Sequence, residues 1–339
     1  MKSVLLTGTS TGIGLATALR LARAGDRVYA SMRDLRRADA LRQAAVAERL
    51  PIHLIELDVD DADSVTRAVR QVLDREGRLD VLVNNAGIAP FNPIEEAPDE
   101  EVKRVFETNV FGALRLIRAV LPAMRAQRSG TIVNVSSVAG RVAYSCMGIY
   151  SASKFALEAV SESLARELYP QGIRVVIVEP GIIVTPILEK ALANLAPEAD
   201  SPYRDPVRRV RTLFTQGQRT GGHPDLVAEV IEQAIAAPDH KLRYTAGADA
   251  AVFVGGRARM RDEEWIAMER HATDEEYFAE FAQRFPMPQT QRGAPQTDQH
   301  PPVQDASIHP RPPFPAPRSL ESSKDGTEAG IGSNAVIST

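Results

Sequence analysis

The stretch TGTSTGIG, Thr7 to Gly14, decides the fold. It follows the apolar run SVLL, Ser3 to Leu6, and opens a segment, Ile13 to Ala24, whose apolar residues recur at helical spacing. Strand, glycine-rich turn and helix in that order make the first half of a βαβ unit. Gly8, Gly12 and Gly14 permit a tight turn and close backbone approach. The helix amino terminus offers unpaired N–H groups to a pyrophosphate. Thr9, Ser10, Thr11 and Ile13 belong to the same candidate dinucleotide loop. The competing reading is a connection that only lets the unit pack.

Outward from that loop the rhythm repeats. DRVYAS, IHLIELD, LDVLVNN, GTIVNVSS and GIRVVIVEPG read as parallel strands, because both faces of each are largely apolar. Residues 35–49, 62–74, 98–128 and 151–168 lie between or beside them with helical periodicity. The expected fold class is α/β, a doubly wound parallel sheet of Rossmann type. Residues 182–222, with Pro186, Pro197, Pro202 and Pro206, read as a helical substrate-binding excursion over one end of the sheet. Pro224 to Ala237 reads as helix and KLRYTAG as a further strand. Residues 1–250 are the expected catalytic domain. Residues 251–285 are a helical extension, with Trp265, Ile266, Met268, Tyr277 and Phe278 available for an apolar stripe. Proline recurs from Pro286 to Pro317 and a Ser/Gly-rich end follows, so 286–339 is expected to be a disordered tail.

Bulk chemistry narrows the partners. Forty basic against forty-four acidic side chains give a net charge of -4, which offers no long-range attraction to nucleic acid or an anionic membrane. The lone Cys146 makes neither an intramolecular disulfide nor a multi-thiolate metal centre. The six histidines are dispersed without metal-ligand spacing, so no metal is expected. MKSVLLTG lacks the features of a signal peptide, and no later run has the roughly 20 apolar residues of a membrane span. The expected setting is the cytoplasm, with no transmembrane segment.

Cofactor choice is written at the strand ends. Arg33, in VYASMRD, has the planar cationic fork that a 2′-phosphate needs, which favours NADP(H), with NAD(H) as the alternative. An exposed arginine or a salt bridge to Asp34 is the competing reading. Asp58, followed by Val59 after the third strand, can accept from adenine or cap the next helix. Asn85, Ala86 and Gly87, in VLVNNAG, let a cofactor approach backbone, although NNAG alone is also a plain turn.

YSASK carries the chemistry. Tyr150 and Lys154 are one helical turn apart and face one site. A nearby ammonium is expected to lower the phenol pKa and make reversible proton transfer feasible, complementing hydride exchange at a nicotinamide. Ser136 or Ser137, at the end of GTIVNVSS, can orient the reacting oxygen, and Asn109 can anchor a water or the lysine. Each of these, taken alone, also fits a surface or capping role.

Together, TGTSTGIG, NNAG, Asn109, Ser137, YSASK and EPGIIVTP resemble the short-chain dehydrogenase/reductase family over residues 2–247. The resemblance implies a nicotinamide-dependent oxidoreductase. In it Ser137 orients substrate, Tyr150 is the general acid/base, Lys154 binds ribose and supports the phenol, and Asn109 maintains a proton relay. Arg33 matches the basic position associated with NADP. Pro180, Gly181, Ile182, Ile183, Val184 and Thr185 fall on the nicotinamide-side loop. The run TNVFGALRLIRAVLPAMR is similar to the branch holding 17β-hydroxysteroid and retinol dehydrogenases, which implies a lipophilic alcohol or carbonyl substrate. A homodimer or homotetramer is implied by the same likeness.

Val142, Tyr144, Met147, Ile149, Leu188, Leu213 and Phe214 are candidates for an apolar pocket lining. Arg204, Arg208, Arg209 and Arg211 read as a solvated helix face, with an anionic substrate tail as the alternative. Rival functions are a nucleotide sensor without turnover, a protein-interaction module using the C-terminal extension, and an epimerase or dehydratase with bound nicotinamide.

Overall fold

The structure, a computed structural model, describes residues 1–195 and 200–287. Pro197 and the proline-rich segment expected to be a disordered tail lie outside the described residues.

The chain alternates strand and helix from its first residues. In order come β1 (Ser3–Thr7), α1 (Gly12–Arg23), β2 (Arg27–Met32), α2 (Asp39–Glu48), β3 (Ile52–Glu56), α3 (Ala62–Glu76) and β4 (Val81–Asn84). Then follow α4 (Asp99–Phe106), α5 (Gly112–Gln127), β5 (Gly130–Val135), α6 (Gly148–Leu168) and β6 (Ile173–Pro180). The rest comprises α7 (Pro186–Asn194), α8 (Arg204–Thr220), α9 (Pro224–Ala236), β7 (Arg243–Ala246), α10 (Ala248–Ala258), α11 (Asp262–Ala267) and α12 (Asp274–Arg284). The strands form one parallel sheet in the order β3-β2-β1-β4-β5-β6-β7.

Alternation of side chains along each strand explains why both faces are covered. Val4 and Leu6 join α1 and α9 in one core, through Ala18, Leu21, Val227 and Ile231. Leu5, between them, points the other way and meets Val65, Val69, Leu116 and Val120 of α3 and α5. The order reverses between β1 and β4, the place where strand ends splay into a crevice in doubly wound sheets.

A third apolar cluster lies beyond the carboxyl ends of the strands. It joins Phe91, Tyr144 and Met147 to Leu188, Phe214, Phe253, Phe281 and Phe285 of the later helices. Tyr144 meets Phe253 and Trp265 edge-on, at 5.9 and 5.7 Å between ring centres. The helix Ala248–Ala258 starts three residues ahead of the helical extension expected from residue 251.

Arg209 departs most from its expected setting. It is not on a solvated face: only 2% of its side chain is exposed. Its guanidinium bonds Asp274 (3.2 Å), Glu269 (3.1 Å) and the His271 carbonyl (2.6 Å), and lies 4.7 Å from the Tyr277 ring centre. The neighbouring Arg208 behaves as expected, pairing with Asp205 and Asp274 at the surface. Arg211 donates to the Leu195 carbonyl. A helix with one arginine turned inward is held by what that arginine reaches.

Truncating a buried, fully bonded charge strands its partners, whereas exposed pairs contribute little. Arg209→Ala is expected to lower unfolding stability by about 3 kcal/mol, and Arg208→Ala by far less, as for an exposed pair screened by solvent. Urea denaturation checks this. Equal losses would contradict the assigned role of Arg209.

Candidate active site

A cleft of about 670 Å³ opens at the carboxyl ends of β1, β2, β4, β5 and β6. The glycine-rich loop forms one wall. Gly8 and Gly12 have φ of +71° and +58°, in the left-handed region, and a side chain on Gly14 would come within 2.2 Å of the Gly8 carbonyl oxygen. Thr11 precedes α1 without using its side chain as a cap, and no acidic residue stands in the first turn. The helix therefore presents free N–H groups and an uncompensated positive end, which is what a dinucleotide pyrophosphate requires.

Of the candidate cofactor residues, Gly8, Ser10, Thr11, Gly12, Ile13 and Gly14 line this cleft. Arg33, Asp58, Val59, Asn85, Ala86, Gly87, Pro180, Gly181, Ile183 and Thr185 line it too. Thr9 does not. It is wholly buried, and both its N–H and its hydroxyl donate to the Ser31 carbonyl, at 3.0 and 3.1 Å. It ties the loop to β2 instead of touching a ligand.

Thr7 was not singled out, yet it ties the loop to β4. Its hydroxyl accepts from the backbone N–H groups of Asn85 and Ala86, both at 3.0 Å. Asn85 Nδ2 returns a bond to the Thr7 carbonyl at 2.9 Å. A threonine at a strand end was the only signal for it.

The proposed Arg33–Asp34 salt bridge does not form. Asp34 bonds Arg36 through both carboxylate oxygens, at 2.9 and 3.0 Å, and accepts the Arg36 N–H. These bonds hold Asp34 below the usual carboxylate range. Arg33 is exposed, without an ion-pair partner among the described residues, and Arg37 joins it on the cleft wall. Asp58 is not the cap of α3: Asp61 accepts from Asp63 at 2.9 Å, while Asp58 accepts the Asp60 N–H at 3.1 Å.

On the opposite wall, α6 brings Tyr150 and Lys154 to the cleft together. Lys154 Nζ donates to the Val135 carbonyl at the end of β5, at 2.9 Å, and lies 5.8 Å from the Tyr150 ring centre. Ser137 also lines the cleft. Its hydroxyl accepts the Ala139 N–H at 3.1 Å. Ser136 turns elsewhere, against Gly140 and Glu158.

Asn109 sits in a π-helical turn, Glu107–Phe111, between α4 and α5. Such turns interrupt the regular hydrogen-bond ladder and recur at functional sites. Its Oδ1 accepts from the Ile88 N–H (2.9 Å), while Nδ2 donates to the Ile88 carbonyl (2.9 Å) and Ser153 Oγ (3.0 Å). Ser153 donates in turn to the Tyr150 carbonyl at 2.7 Å. Asn109 thus joins the β4 loop to the helix of Tyr150. A side chain on Gly87 would lie 3.2 Å from Asn109 Oδ1 and 3.8 Å from Lys154 Nζ, so glycine there leaves both groups room.

The electrostatics correct one expectation. Burial pushes the Tyr150 phenol above its ordinary value, and the hydroxyl of Ser137 only partly opposes this. Burial also works against the Lys154 ammonium, pushing it down to about 8. Glu158 opposes that fall.

The nicotinamide-side loop has a brace that was not foreseen. Asp249, on α10, accepts the Ile182 N–H at 2.6 Å, and a side chain on Gly181 would strike its carboxylate at 2.3 Å. The apolar lining includes Tyr144, Met147, Leu188, Leu213 and Phe214 as expected, with Phe91 and Phe253 in addition. Val142 and Ile149 are not on the wall. Val142 is fully buried in the cluster behind it.

A parallel sheet, an anion-ready loop at its switch point and a tyrosine–lysine pair across the cleft define a dinucleotide-dependent enzyme class. The model of the short chain dehydrogenase family matches residues 2–196, and the chain belongs to that family. Human 17-beta-hydroxysteroid dehydrogenase type 1 is 37% identical over 251 residues, covering 71% of this chain and 76% of the relative. Human retinol dehydrogenase 8 is 38% identical over 254 residues, covering 71% and 80%. Among solved structures, a short-chain dehydrogenase from Streptomyces avermitilis aligns with a TM-score of 0.67 at 37% identity, over 80% of this chain and 98% of that one. A metagenomic short-chain oxidoreductase in complex with NADP aligns at TM-score 0.57 and 28% identity, over 72% and 96%. A Burkholderia phymatum enzyme in complex with NAD aligns at 0.67 and 25%, over 80% and 96%. No helix among the described residues is long and apolar enough to cross a membrane.

The lowered Lys154 value has a stability consequence. The unfolded chain binds the lysine proton up to about 10.5, the folded protein only up to about 8. Between those values the unfolded state holds more protons, so stability rises with pH there, and below about 8 the charged side chain carries its full burial cost. Lys154→Met is expected to raise the melting temperature at pH 7 without added dinucleotide, with the gain shrinking toward pH 10. Thermal melts across that range check it, and a lower melting temperature at pH 7 would contradict it.

Proposed function

We propose that this protein is an NADP(H)-dependent oxidoreductase that moves a hydride between nicotinamide and a lipophilic alcohol or carbonyl compound, with Tyr150 as general acid/base. The observation that carries the reading is the convergence of Ser137, Tyr150 and Lys154 on the cleft that holds the glycine-rich loop. When bound, the dinucleotide supplies the hydride donor or acceptor, held by Gly8 to Gly14, Asn85 to Gly87 and Pro180 to Thr185. Thr9 serves this loop only from behind.

Each protein group then has one task. The Ser137 hydroxyl fixes the reacting oxygen, and Tyr150 donates a proton to it in reduction or removes one in oxidation. Burial keeps the phenol protonated at neutral pH, which suits carbonyl reduction. Lys154, when charged, favours the phenolate that is left after donation. Asn109, through Ser153, holds the first turn of α6 in place against the β4 loop.

Selection for the phosphorylated cofactor rests on Arg33 and Arg37. Both reach the cleft, and the nearest carboxylate, Asp34, is already committed to Arg36. Selection for a lipophilic substrate rests on the wall made by Phe91, Met147, Leu188, Leu213, Phe214 and Phe253. Phe91 and Phe214 meet edge-on at 5.1 Å. A dry wall of this kind excludes water from hydride transfer.

Tyr150→Phe is expected to bind NADPH as the parent does while losing at least about a hundredfold in kcat on a panel of apolar ketones and aldehydes. Turnover within a few fold of the parent would overturn the acid/base role. Arg33→Ala is expected to weaken NADPH binding about tenfold and leave NADH binding unchanged. Equal loss of both cofactors, or of neither, would remove the basis for NADP preference. For the parent enzyme, carbonyl reduction is expected to be flat near neutrality and to fall above about pH 8, where Lys154 loses its proton. Alcohol oxidation should still be rising there, as the phenol begins to ionise. Steady-state rates in both directions between pH 6 and 10 check the sign.

A further inference from the structure

Behind Lys154, away from the reacting groups, lies a cluster of charges that the proposed chemistry does not use, buried at Glu158 and Glu179 and open to solvent at Glu162 and Arg141. Glu158 stands one helical turn after Lys154 on α6, 4% exposed. Residues at that spacing are neighbours on a helix face. Arg243 of β7 donates to Glu158 Oε2 at 2.9 Å and to Glu162 at 2.6 Å. The same guanidinium lies 3.6 Å from Glu179 of β6, which is 2% exposed and also accepts from Arg141 at 3.1 Å. From the end of β5, Ser136 completes the surroundings of Glu158.

Two features single out Glu158. First, Lys154 Nζ donates to one neutral carbonyl and makes no ion pair with any described carboxylate, so its charge is balanced only across the helix turn. Three carboxylates, of Glu158, Glu162 and Glu179, face two guanidiniums, of Arg141 and Arg243. Second, Arg243 engages one oxygen of Glu158, while the other, Oε1, is buried with no hydrogen-bond partner among the described residues. Burial, with Glu179 close by, raises the Glu158 carboxyl above its usual range, while Ser136 and Arg243 oppose the rise and favour the charged form, whose field is weakly screened in a water-poor interior.

We propose that Glu158 is a positioning residue of the reaction: its carboxylate keeps Lys154 in the charged form that supports proton transfer by Tyr150. Arg243, shared with Glu179, holds the carboxylate in place, so that β6 and β7 contribute to the electrostatics read out at the cleft. This role rests on the oxidoreductase reading above and adds to it a residue that touches neither substrate nor cofactor.

The test uses full-length protein labelled with ¹³C at lysine Cε, without added dinucleotide, so that it does not depend on turnover. In Glu158→Gln the Lys154 midpoint is expected to fall by about one pH unit or more. The alkaline limb of kcat/KM for carbonyl reduction with NADPH should move by the same amount, with KM for the carbonyl little changed. Glu158→Asp, which keeps the charge, should hold the midpoint closer to that of the parent. A folded Glu158→Gln protein with an unmoved Lys154 midpoint overturns the proposal, whatever its stability. If that variant does not fold, the parent protein, labelled at glutamate Cδ as well, still decides: the Lys154 Cε signal must register the Glu158 titration step, and a Lys154 signal blind to it overturns the proposal. Failure of the oxidoreductase reading shows separately, as unimpaired turnover in Tyr150→Phe.

Discussion

An ammonium group taken out of water costs several kcal/mol unless its surroundings replace the lost solvation. Lys154 is such a group, and much of the layout around it answers that requirement. β5 ends with its last carbonyl, of Val135, aimed at Nζ. Gly87 keeps the β4 loop free of a side chain that would crowd it. Asn109 bonds both backbone groups of Ile88 and so holds that loop open beside the lysine. The parallel sheet matters here because it brings the ends of β4 and β5 side by side, in register from Val81 with Thr131 to Asn84 with Asn134. Without that register the lysine would have a cavity but no acceptor.

The same economy of space governs the dinucleotide side. Gly14 allows α1 to sit against the Gly8 carbonyl, and Gly12 comes within 3.2 Å of Thr185 by way of its missing side chain. The glycine-rich loop and the nicotinamide-side loop therefore touch, although 170 or so residues of chain separate them. Thr9 and Thr7 pull the loop toward β2 and β4 respectively. An anion site made from backbone N–H groups works only if the backbone is held still, and these two hydroxyls supply the restraint.

Most of the fold was legible because it is repetitive. Each buried strand is an apolar run, each covering helix has a 3.6-residue period, and turns carry glycine or asparagine. The candidate site residues were legible for a different reason, since YSASK and NNAG bring their groups together within one turn or one loop. What stayed hidden was long-range or hydrogen-bonded. Thr9 looks like a loop ligand until its donors are seen to reach Ser31. Arg209 looks like its solvated neighbour Arg208 until α12 supplies Asp274 and Tyr277. The π-turn at Asn109 leaves no mark in composition. The expected depression of the Tyr150 phenol failed for a physical cause as well. Pair spacing is written in sequence, but desolvation depends on everything packed around the pair.

The wall that faces the substrate and the groups that would do the chemistry come from different parts of the chain. Ser137 stands just past the end of β5 and Tyr150 and Lys154 stand on α6, whereas Leu188, Phe214 and Phe253 stand on α7, α8 and α10. Side chains on that wall can change size without disturbing the strand register, since they pack mainly on one another and on Phe281 and Phe285. Asp249 is the link between the two parts. Its carboxylate, at the start of α10, receives the Ile182 N–H of the nicotinamide-side loop, so the helix that carries Phe253 also sets the position of that loop. Burial raises the Asp249 carboxyl above its usual range while three backbone N–H groups oppose the rise, as expected for an acceptor held in a tight, water-poor turn. A change in the apolar wall that shifts α10 would therefore be passed through Asp249 to the loop at Ile182.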